Sequence, residues 1–462
     1  MKLALQKVGR FFANGFFSFR SYFKNKTLLK RILYTILLIS IFRIAATITI
    51  PIVKVNQDLV ENSNSLIGML NLIGGGALSN FSIVALGISP YITASIIMTL
   101  LQSEAFPAIY RLAHSGPVGK RKIAFTTRIL TICFAIVQAM TVIQQFRISQ
   151  HVELLSPADN VWYQYLVIPL ILLAGSLFSL FLGEQITSRG AGNGISLIIF
   201  SGIAADLPAK IQLAYSYFVS TSQGGSFVGG MNFIVHFSIF AGLIFIVTFF
   251  HKAERHIPTQ QTGSGLTRDV KQMSHLPMKV NPAGVMPVIF AMTILLLPLT
   301  ITGFLHHQDP ARQWIENHLR LTDPLGLGIF ILIIFVFSIV MSLITFNPYT
   351  VTENFKKSGT FIPGIRPGQE TEKYLTGIVM RLSVFSGFYL SIISSVPFIE
   401  QMLGIPQPFT ISGTSLIILV SVAIETLEHV RARDTTQTIS RAREQVLKTI
   451  DSEDGKSGGL LW

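Results

Sequence analysis

Residues 87–97 read GISPYITASII, and residues 284–289 read GVMPVI. Both stretches carry the pattern G-x-x-P-x-I inside a long apolar run. A second pattern, G-x-S-L-I-I, occurs at residues 194–199 and again at residues 413–418. Either match alone could arise by chance in apolar sequence. The significance of the two matches together depends on the apolar runs in which they occur.

Those runs are typical of an integral membrane protein. Half of the 462 residues are hydrophobic and 13% are charged, whereas about a quarter of the residues of a soluble protein are charged. The single cysteine, Cys133, excludes a disulfide within the chain. A helix needs about 20 mostly apolar residues to cross a bilayer. By that criterion we predict ten spans, at about 28–50, 78–101, 123–146, 161–183, 194–218, 232–251, 284–305, 325–346, 375–396 and 410–428.

The basic residues orient these spans. Twenty-nine of the 36 Lys and Arg residues lie on one side, in the N-terminal segment, in every second loop and in the C-terminal tail. Cytoplasmic segments of membrane proteins carry such an excess of Lys and Arg. We therefore expect both termini to lie in the cytoplasm, with a basic segment at 1–27, loops at 252–283 and 347–374, and a tail at 429–462.

The repeated motifs divide the ten spans into two sets. They pair span two with span seven and span five with span ten, always five spans apart. We therefore predict two halves, residues 28–218 and 219–428, which have opposite orientations because five is an odd number. The interface between such halves is the natural place for a pathway. A coincidence of short apolar matches remains the alternative.

One apolar run is too short to cross the bilayer. It extends from Leu66 to Asn80 and is interrupted by three consecutive glycines at 74–76. We interpret it as a re-entrant, plug-like segment that precedes the second span.

Motifs of common enzymes are missing from the sequence. It contains no G-x-x-x-x-G-K-[ST], no G-x-S-x-G and no H-E-x-x-H, and its ten histidines are scattered. We expect no catalytic residue, no metal site and no cofactor. Arg43, Arg381 and Glu425 lie toward the ends of spans and are interpreted as interface anchors. Because few ionisable groups fall within the predicted spans, the pattern weighs against an ion-coupled transporter.

Two basic cytoplasmic loops have defined turn chemistry. Residues 361–368 read FIPGIRPG, so two Pro-Gly pairs flank Arg366 and should hold it at a fixed turn. Residues 253–261 read AERHIPTQQ and contain Arg255. A basic projection of defined shape suits an RNA-rich particle or an acidic protein face. A solvated connector is the alternative.

In these stretches the chain resembles the SecY family, the channel-forming subunits of bacterial protein translocases. The resemblance rests on residues 87–97, 119–123, 192–196, 283–291 and 361–368. It implies an all-α fold of ten transmembrane helices, in two inverted halves around an hourglass pore with a short plug helix. It also implies a channel in the bacterial plasma membrane that carries secretory polypeptides across and releases membrane-protein segments sideways into lipid.

The resemblance further assigns expected roles to residues. An aliphatic pore ring would consist of Ile88, Ile92, Ile195, Ile199, Ile289 and Ile418. A plug would contain Leu66, Ile67, Met69, Leu70, Leu72, Ile73, Gly74, Gly75 and Gly76. The lateral gate would use Gln138 and Asn281, for which ordinary interhelical hydrogen bonding is the alternative. The loops would bind the ribosome, including its rRNA, or the SecA ATPase, through Arg255, Lys356, Lys357 and Arg366.

The same resemblance implies a SecE-like subunit, a SecG-like subunit, signal sequences, nascent polypeptides and membrane lipids as partners. Two stretches depart from the family pattern: residues 52–55, which read IVKV after Pro51, and the tail after Glu428, whose Thr435–Leu447 part is expected to be helical. A secondary transporter with inverted repeats is the first alternative function. A membrane scaffold that only docks ribosomes is the second.

Overall fold

The structure of the chain is a computed structural model. It describes residues 26–50, 53–55, 77–78, 81–102, 106–148, 152–154, 162–220, 225–262, 274–302, 309–319, 321–402 and 413–457. Leu66 to Gly76, which hold all of the predicted plug residues, lie outside these ranges, as does most of the basic N-terminal segment.

Helices dominate the described residues. The α-helices are α1 (Lys26–Thr47), α2 (Ser89–Leu101), α3 (Pro107–His114), α4 (Pro117–Ile148), α5 (Ile168–Arg189), α6 (Gly194–Tyr215), α7 (Gly225–Lys252), α8 (Met286–Thr302), α9 (Pro310–His318), α10 (Pro324–Thr345), α11 (Pro348–Ser358), α12 (Gln369–Met402) and α13 (Gly413–Ser457). Short π-helical turns at Tyr163–Val167 and Ser216–Ser220 adjoin α5 and α6.

Each of the ten predicted spans overlaps one of these helices. Among the described residues, seven helices are long and apolar enough to cross a membrane, and α2 and α8 are shorter apolar helices. The first span corresponds to α1, which begins close to the predicted residue. The Thr435–Leu447 part of the tail is helical as expected, because α13 continues without a break from the tenth span to Ser457.

The second span differs from its prediction. The apolar run begins at residue 78, but α2 begins only at Ser89, and residues 83–88 form successive turns. Gly87 has a φ of 51°, which ends any helix approaching it, and Pro90 lies in the first turn of α2. The thirteen residues of α2 are about 20 Å long, which is short of the roughly 30 Å hydrocarbon core.

The described chain divides into two compact units. One comprises Met1–Arg43, Phe181–Ile198 and Val422–Trp462, and the other comprises Ile44–Leu180 and Ile199–Ser421. Within the larger unit, α2 packs on α4, α10 packs on α12, and α8 contacts α2, α4 and α10. The two faces of α4 explain this packing. Its buried residues recur at helical spacing and are Thr131, Ala135, Gln138 and Val142. Its outward-facing residues are Phe125, Ile129, Ile132 and Ile136.

Within the described ranges, five short strands form two sheets. Strands β1 (Val53–Val55) and β2 (Val152–Leu154) pair antiparallel. Strands β3 (Glu254–Gln261) and β4 (Ser274–Lys279) form a hairpin, and β5 (Thr360–Phe361) adds to β3, which gives the order β4-β3-β5.

Candidate functional site

The G-x-x-P-x-I motifs adopt the same local structure in both halves. Gly87 and Gly284 both have positive φ, 51° and 61°. In each copy a helix begins two residues after the glycine, and the motif proline is the second residue of that helix. Glycine enters this backbone region without strain, and proline fits the first turn because no N–H is needed there. The two copies are therefore equivalent in structure as well as in sequence.

The G-x-S-L-I-I motifs are equivalent too. Gly194 is the first residue of α6, and Gly413 is the first residue of α13. A Cβ on Gly194 would overlap the carbonyl oxygen of Gly183, and a Cβ on Gly413 would overlap the carbonyl oxygen of Ile393. Both carbonyls belong to the preceding span. Glycine at these positions allows spans four and five, and likewise spans nine and ten, to approach closely.

Four of the predicted ring isoleucines occupy matched positions in this repeat. Ile92 and Ile289 are each five residues after the motif glycine of α2 and α8, and Ile199 and Ile418 are each five residues after that of α6 and α13. All four side chains are buried. Ile88 is also buried, and Ile195, which belongs to the smaller unit, is half-buried. Their ring role stays a prediction.

Non-helical backbone precedes α2 at a depth where a helix was expected. Phe81, Ser82, Val84, Leu86 and Ile88 are all almost completely buried. The backbone is held by bonds between Ile50 N and Phe81 O, at 3.2 Å, and between Ile83 N and Ile48 O, at 3.0 Å. Irregular backbone is tolerated within a membrane only where protein or a water-filled cavity surrounds it. Broken helices of this kind mark pathways in transport proteins.

Hydrogen bonds connect spans two, three and seven. Gln138 Nε2 on α4 donates to Thr93 Oγ1 on α2 at 3.3 Å. Thr141 Oγ1 on α4 donates to the Thr300 carbonyl on α8 at 3.4 Å, and this contact joins the two predicted halves. The Oε1 atom of Gln138 is buried and has no hydrogen-bond partner among the residues that the structure describes. We call the contact of α4 with α2 and α8 the seam.

Gln138 was predicted from the sequence, whereas Thr141 and Thr300 were not. Threonine is common in spans, where its hydroxyl usually bonds to the carbonyl four residues earlier, so the sequence carries no signal for a bond between helices. Thr141 Oγ1 also lies 3.0 Å from Val137 O, so its single hydrogen is shared between a local carbonyl and the Thr300 carbonyl.

The described contacts of Asn281 lie outside the seam. Its Nδ2 donates to Gly284 O at 2.9 Å within the turn before α8, and its Oδ1 accepts from Ser386 Oγ on α12 at 2.8 Å. These contacts connect spans seven and nine and are those expected of ordinary interhelical bonding. A gate role for Asn281 stays a prediction, and its described contacts do not include α2 or α4.

The loops after spans six and eight, which are predicted to be cytoplasmic, form one folded surface. The β3–β4 hairpin packs on the first turns of α12 through Ile257, Met278, Ile362, Leu375 and Ile378, all of which are buried. The loops are also joined where Thr262 donates twice to Gly359 O, from its backbone N at 2.9 Å and from its Oγ1 at 2.6 Å. We call this assembly, residues 254–262, 274–279 and 359–379, the docking surface.

Arg366 sits at a defined turn, as predicted. Ile365 N donates to Ile362 O at 3.1 Å, with Pro363 and Gly364 between them and a φ of 84° at Gly364, which is the geometry of a type II turn. The Arg366 carbonyl accepts from Thr371 Oγ1 at 2.8 Å, so its backbone is fixed while its side chain is exposed. Arg255 on β3 is exposed as well.

Lys356 and Lys357 occupy the last turn of α11, where positive charge favours the helix dipole. Lys357 pairs with Glu353 at 3.7 Å in an exposed position, which contributes little to stability. Gly359, with a φ of 63°, ends the helix in the left-handed conformation typical of a C-cap.

Comparison with known proteins shows which family the chain belongs to. The SecY family model matches residues 82–427, which is most of the sequence. The chain belongs to the SecY family. Protein translocase subunit SecY of Mycoplasma capricolum is 40% identical over 444 residues, covering 93% of this chain and 92% of the relative. Protein translocase subunit SecY of Bacillus subtilis is 38% identical over 406 residues, covering 87% and 94%.

Solved structures show the same fold for this SecY family member. One, described as the structure of a protein conducting channel, has a TM-score of 0.64 at 17% identity and covers 87% of this chain and 92% of the other. Another is Sec61 in a canine ribosome-channel complex from the endoplasmic reticulum, with a TM-score of 0.57 at 16% identity and the same coverage. The ten-helix channel fold predicted from the sequence is confirmed.

Proposed function

We propose that this chain is the channel-forming subunit of a protein translocase, which passes secretory polypeptides across a membrane and releases membrane-protein segments sideways into lipid. Family membership carries the proposal. The paired Gly/Pro motifs and the broken second span support it, because they are placed where two repeats would form a pathway. The transporter alternative has no comparable support.

The first experiment tests whether a polypeptide passes the predicted ring. A secretory chain is stalled during translocation, with a photo-crosslinker at Ile92 or Ile289. We expect crosslinks to the stalled chain at both positions. A crosslinker at Ile392, an outward-facing residue on α12, is the matched control and should react mainly with lipid. Intact complexes that crosslink at neither Ile92 nor Ile289 would contradict the channel function.

We further propose that the docking surface binds the ribosome or a SecA-type ATPase through Arg255 and Arg366. Its exposed basic side chains on a rigid backbone support this, since little conformational entropy is lost on binding. The related channel in the canine complex is ribosome-bound, which is a fact about that protein. Arg366→Glu should impair translocation without affecting insertion of the chain itself, whereas Arg431→Glu, an equal charge reversal at an exposed residue of α13 outside the docking surface, should have a smaller effect.

We also propose the orientation and the membrane partners. The distribution of Lys and Arg supports cytoplasmic termini. Leu33, Leu37 and Ile44 of α1 face outward at helical spacing, each more than half exposed. Such an apolar face supports contact with lipid or with a single-span SecE-like subunit, and a SecG-like subunit is a further proposed partner.

A further inference from the structure

The loop between α5 and α6, residues 190–193, is tied to two other parts of its unit. Ala191 N donates to Thr35 Oγ1 on α1 at 2.9 Å, and Thr35 is buried. Arg433 Nη1 on α13 donates to the Gly190 carbonyl at 2.6 Å. We call Thr35, Arg433 and residues 190–193 the clamp. All of its residues belong to the smaller of the two compact units.

The Arg433 bond is favoured by charge. Gly190 directly follows the last residue of α5, so its carbonyl lies at the negative end of that helix dipole. A guanidinium donating to such an oxygen forms a charge-assisted bond, which is stronger than a bond between neutral groups. Gly192 adds a second contact with α13: it has a φ of 110°, and a Cβ there would lie 3.3 Å from Thr426 Cγ2. The loop thus contacts α13 at positions seven residues apart, on one helix face.

The same loop fixes the start of α6. Asn193 Oδ1 accepts from Ile195 N at 3.2 Å, which is the geometry of an N-cap. Gly194 N donates to Thr187 Oγ1 on α5 at 2.9 Å. The backbone N–H of Ile195, a predicted ring residue, is therefore held by the side chain of Asn193, which belongs to the clamp.

Helix α13 extends well beyond the membrane. Its 45 residues span about 68 Å at 1.5 Å per residue, whereas the hydrocarbon core is about 30 Å thick. Arg433 lies after the tenth predicted span, where the helix continues into the tail. A force or a bound partner on the tail would thus act on a continuous helix that carries Arg433.

We propose that Arg433 is a positioning residue that couples the tail helix to the start of α6 through the clamp, so that displacement of α13 moves residues 190–193 and, with them, the predicted ring residue Ile195. The coupling rests on the proposed channel function, whereas the clamp itself does not. If the clamp exists, loss of the Arg433 bond should loosen the start of α6 without unfolding the helices around it.

The first test measures amide hydrogen exchange in the full chain, purified with its native subunits and placed in lipid nanodiscs. Arg433→Gln should speed exchange in the peptide covering residues 190–195 by about tenfold, as expected for the loss of a charged hydrogen bond. Arg431→Gln is the matched control, because it removes the same charge from an exposed residue two positions away. Arg433→Lys keeps the cation and a donor and should restore much of the protection.

A second pair of variants checks the α1 side of the clamp. Thr35→Val should speed exchange at Ala191, whereas Ser40→Ala, which removes an exposed hydroxyl on the same helix, should not. Unchanged exchange around residues 375–379 shows that the rest of the chain remains folded. Equal exchange at residues 190–195 in Arg433→Gln and Arg431→Gln would overturn the clamp.

The proposed coupling to Ile195 is tested by a separate measurement, ion leak. Ion leak through idle channels in sealed vesicles should rise in Arg433→Gln, fall back in Arg433→Lys and stay at the wild-type level in Arg431→Gln. Faster exchange at residues 190–195 with unchanged leak would overturn the coupling. Failure of the proposed function is distinguishable from both results, because it would appear as an unmodified chain that carries no secretory cargo.

Discussion

Thr141→Val is the most direct perturbation of the seam. Valine has nearly the same shape as threonine, so the variant removes the hydroxyl with little change in packing. That hydroxyl supplies the bond from α4 to the Thr300 carbonyl of α8. Thr300 lies in the last turn of α8, where carbonyls have no donor within the helix, and it is buried. In the variant this carbonyl loses the donor that α4 provides.

The magnitude follows from the geometry. At 3.4 Å the bond is long, and hydrogen bonds between membrane helices average about 0.6 kcal/mol. Removing it should raise the equilibrium constant for separating α4 from α8 by about threefold. An upper limit comes from the cost of a buried carbonyl left without a donor: at about 1.4 kcal/mol, within the usual range for such groups, the increase would be about tenfold.

Export of a cargo with a weakened signal sequence is a suitable assay, because its rate should depend on how often the seam opens. We expect Thr141→Val to raise that rate by about threefold. Thr131→Val is the matched control: Thr131 is buried on the same helix, and its bond within the described part of the chain is to the carbonyl four residues earlier, at 2.7 Å. Equal export rates in the two variants would refute the role of the Thr141 bond, since the only planned difference is the contact with α8.

Three further predictions concern the docking surface and the repeat. Leu375→Ala should destabilise the packing of the β3–β4 hairpin by about 2–5 kcal/mol, because Leu375 is fully buried, and limited proteolysis should then cut the hairpin. Gly364→Val should weaken ribosome binding in a flotation assay because valine is strained at a φ of 84°, whereas Gly377→Ala, with open space around the new Cβ, should not. Gly413→Leu should lower the thermal midpoint, because its side chain would collide with Ile393.

Hydropathy predicted where the helices lie but not how long they are. The ninth span was predicted over 375–396, and α12 covers Gln369–Met402. The difference arises because hydropathy reports the thickness of the hydrocarbon core, whereas a helix continues as long as its backbone bonds and packing allow. The first turns of α12 are polar on the outside, and their inner side chains pack on the hairpin.

The second span shows the opposite error, a helix shorter than its apolar run. Composition alone cannot distinguish buried turns from a helix, since both are apolar. The glycine and proline of the motif did carry the signal, because a positive φ at Gly87 followed by Pro90 is a helix start. Reading the motif as a start would have moved the boundary from residue 78 to residue 89.

The docking surface was only half predictable. The turn at Arg366 followed from two Pro-Gly pairs, which fix the backbone locally. The pairing of the two loops could not be predicted from the sequence, because β3 and β5 share only two residue pairs. These are Gln260 with Phe361 and Gln261 with Thr360. A pairing that short leaves no periodic pattern in either loop, and its partners are about a hundred residues apart.

Local sequence and fold are not sufficient to establish which residues form the pore ring. Isoleucine is common in any span, so nothing intrinsic to Ile92 or Ile289 sets them apart from outward-facing isoleucines such as Ile129. The repeat pairs Ile92 with Ile289 and Ile199 with Ile418, but it pairs the other motif residues in the same way. What singles these four out is that they are also buried and correspond to ring positions of the family. A crosslinking experiment should therefore examine these two pairs first.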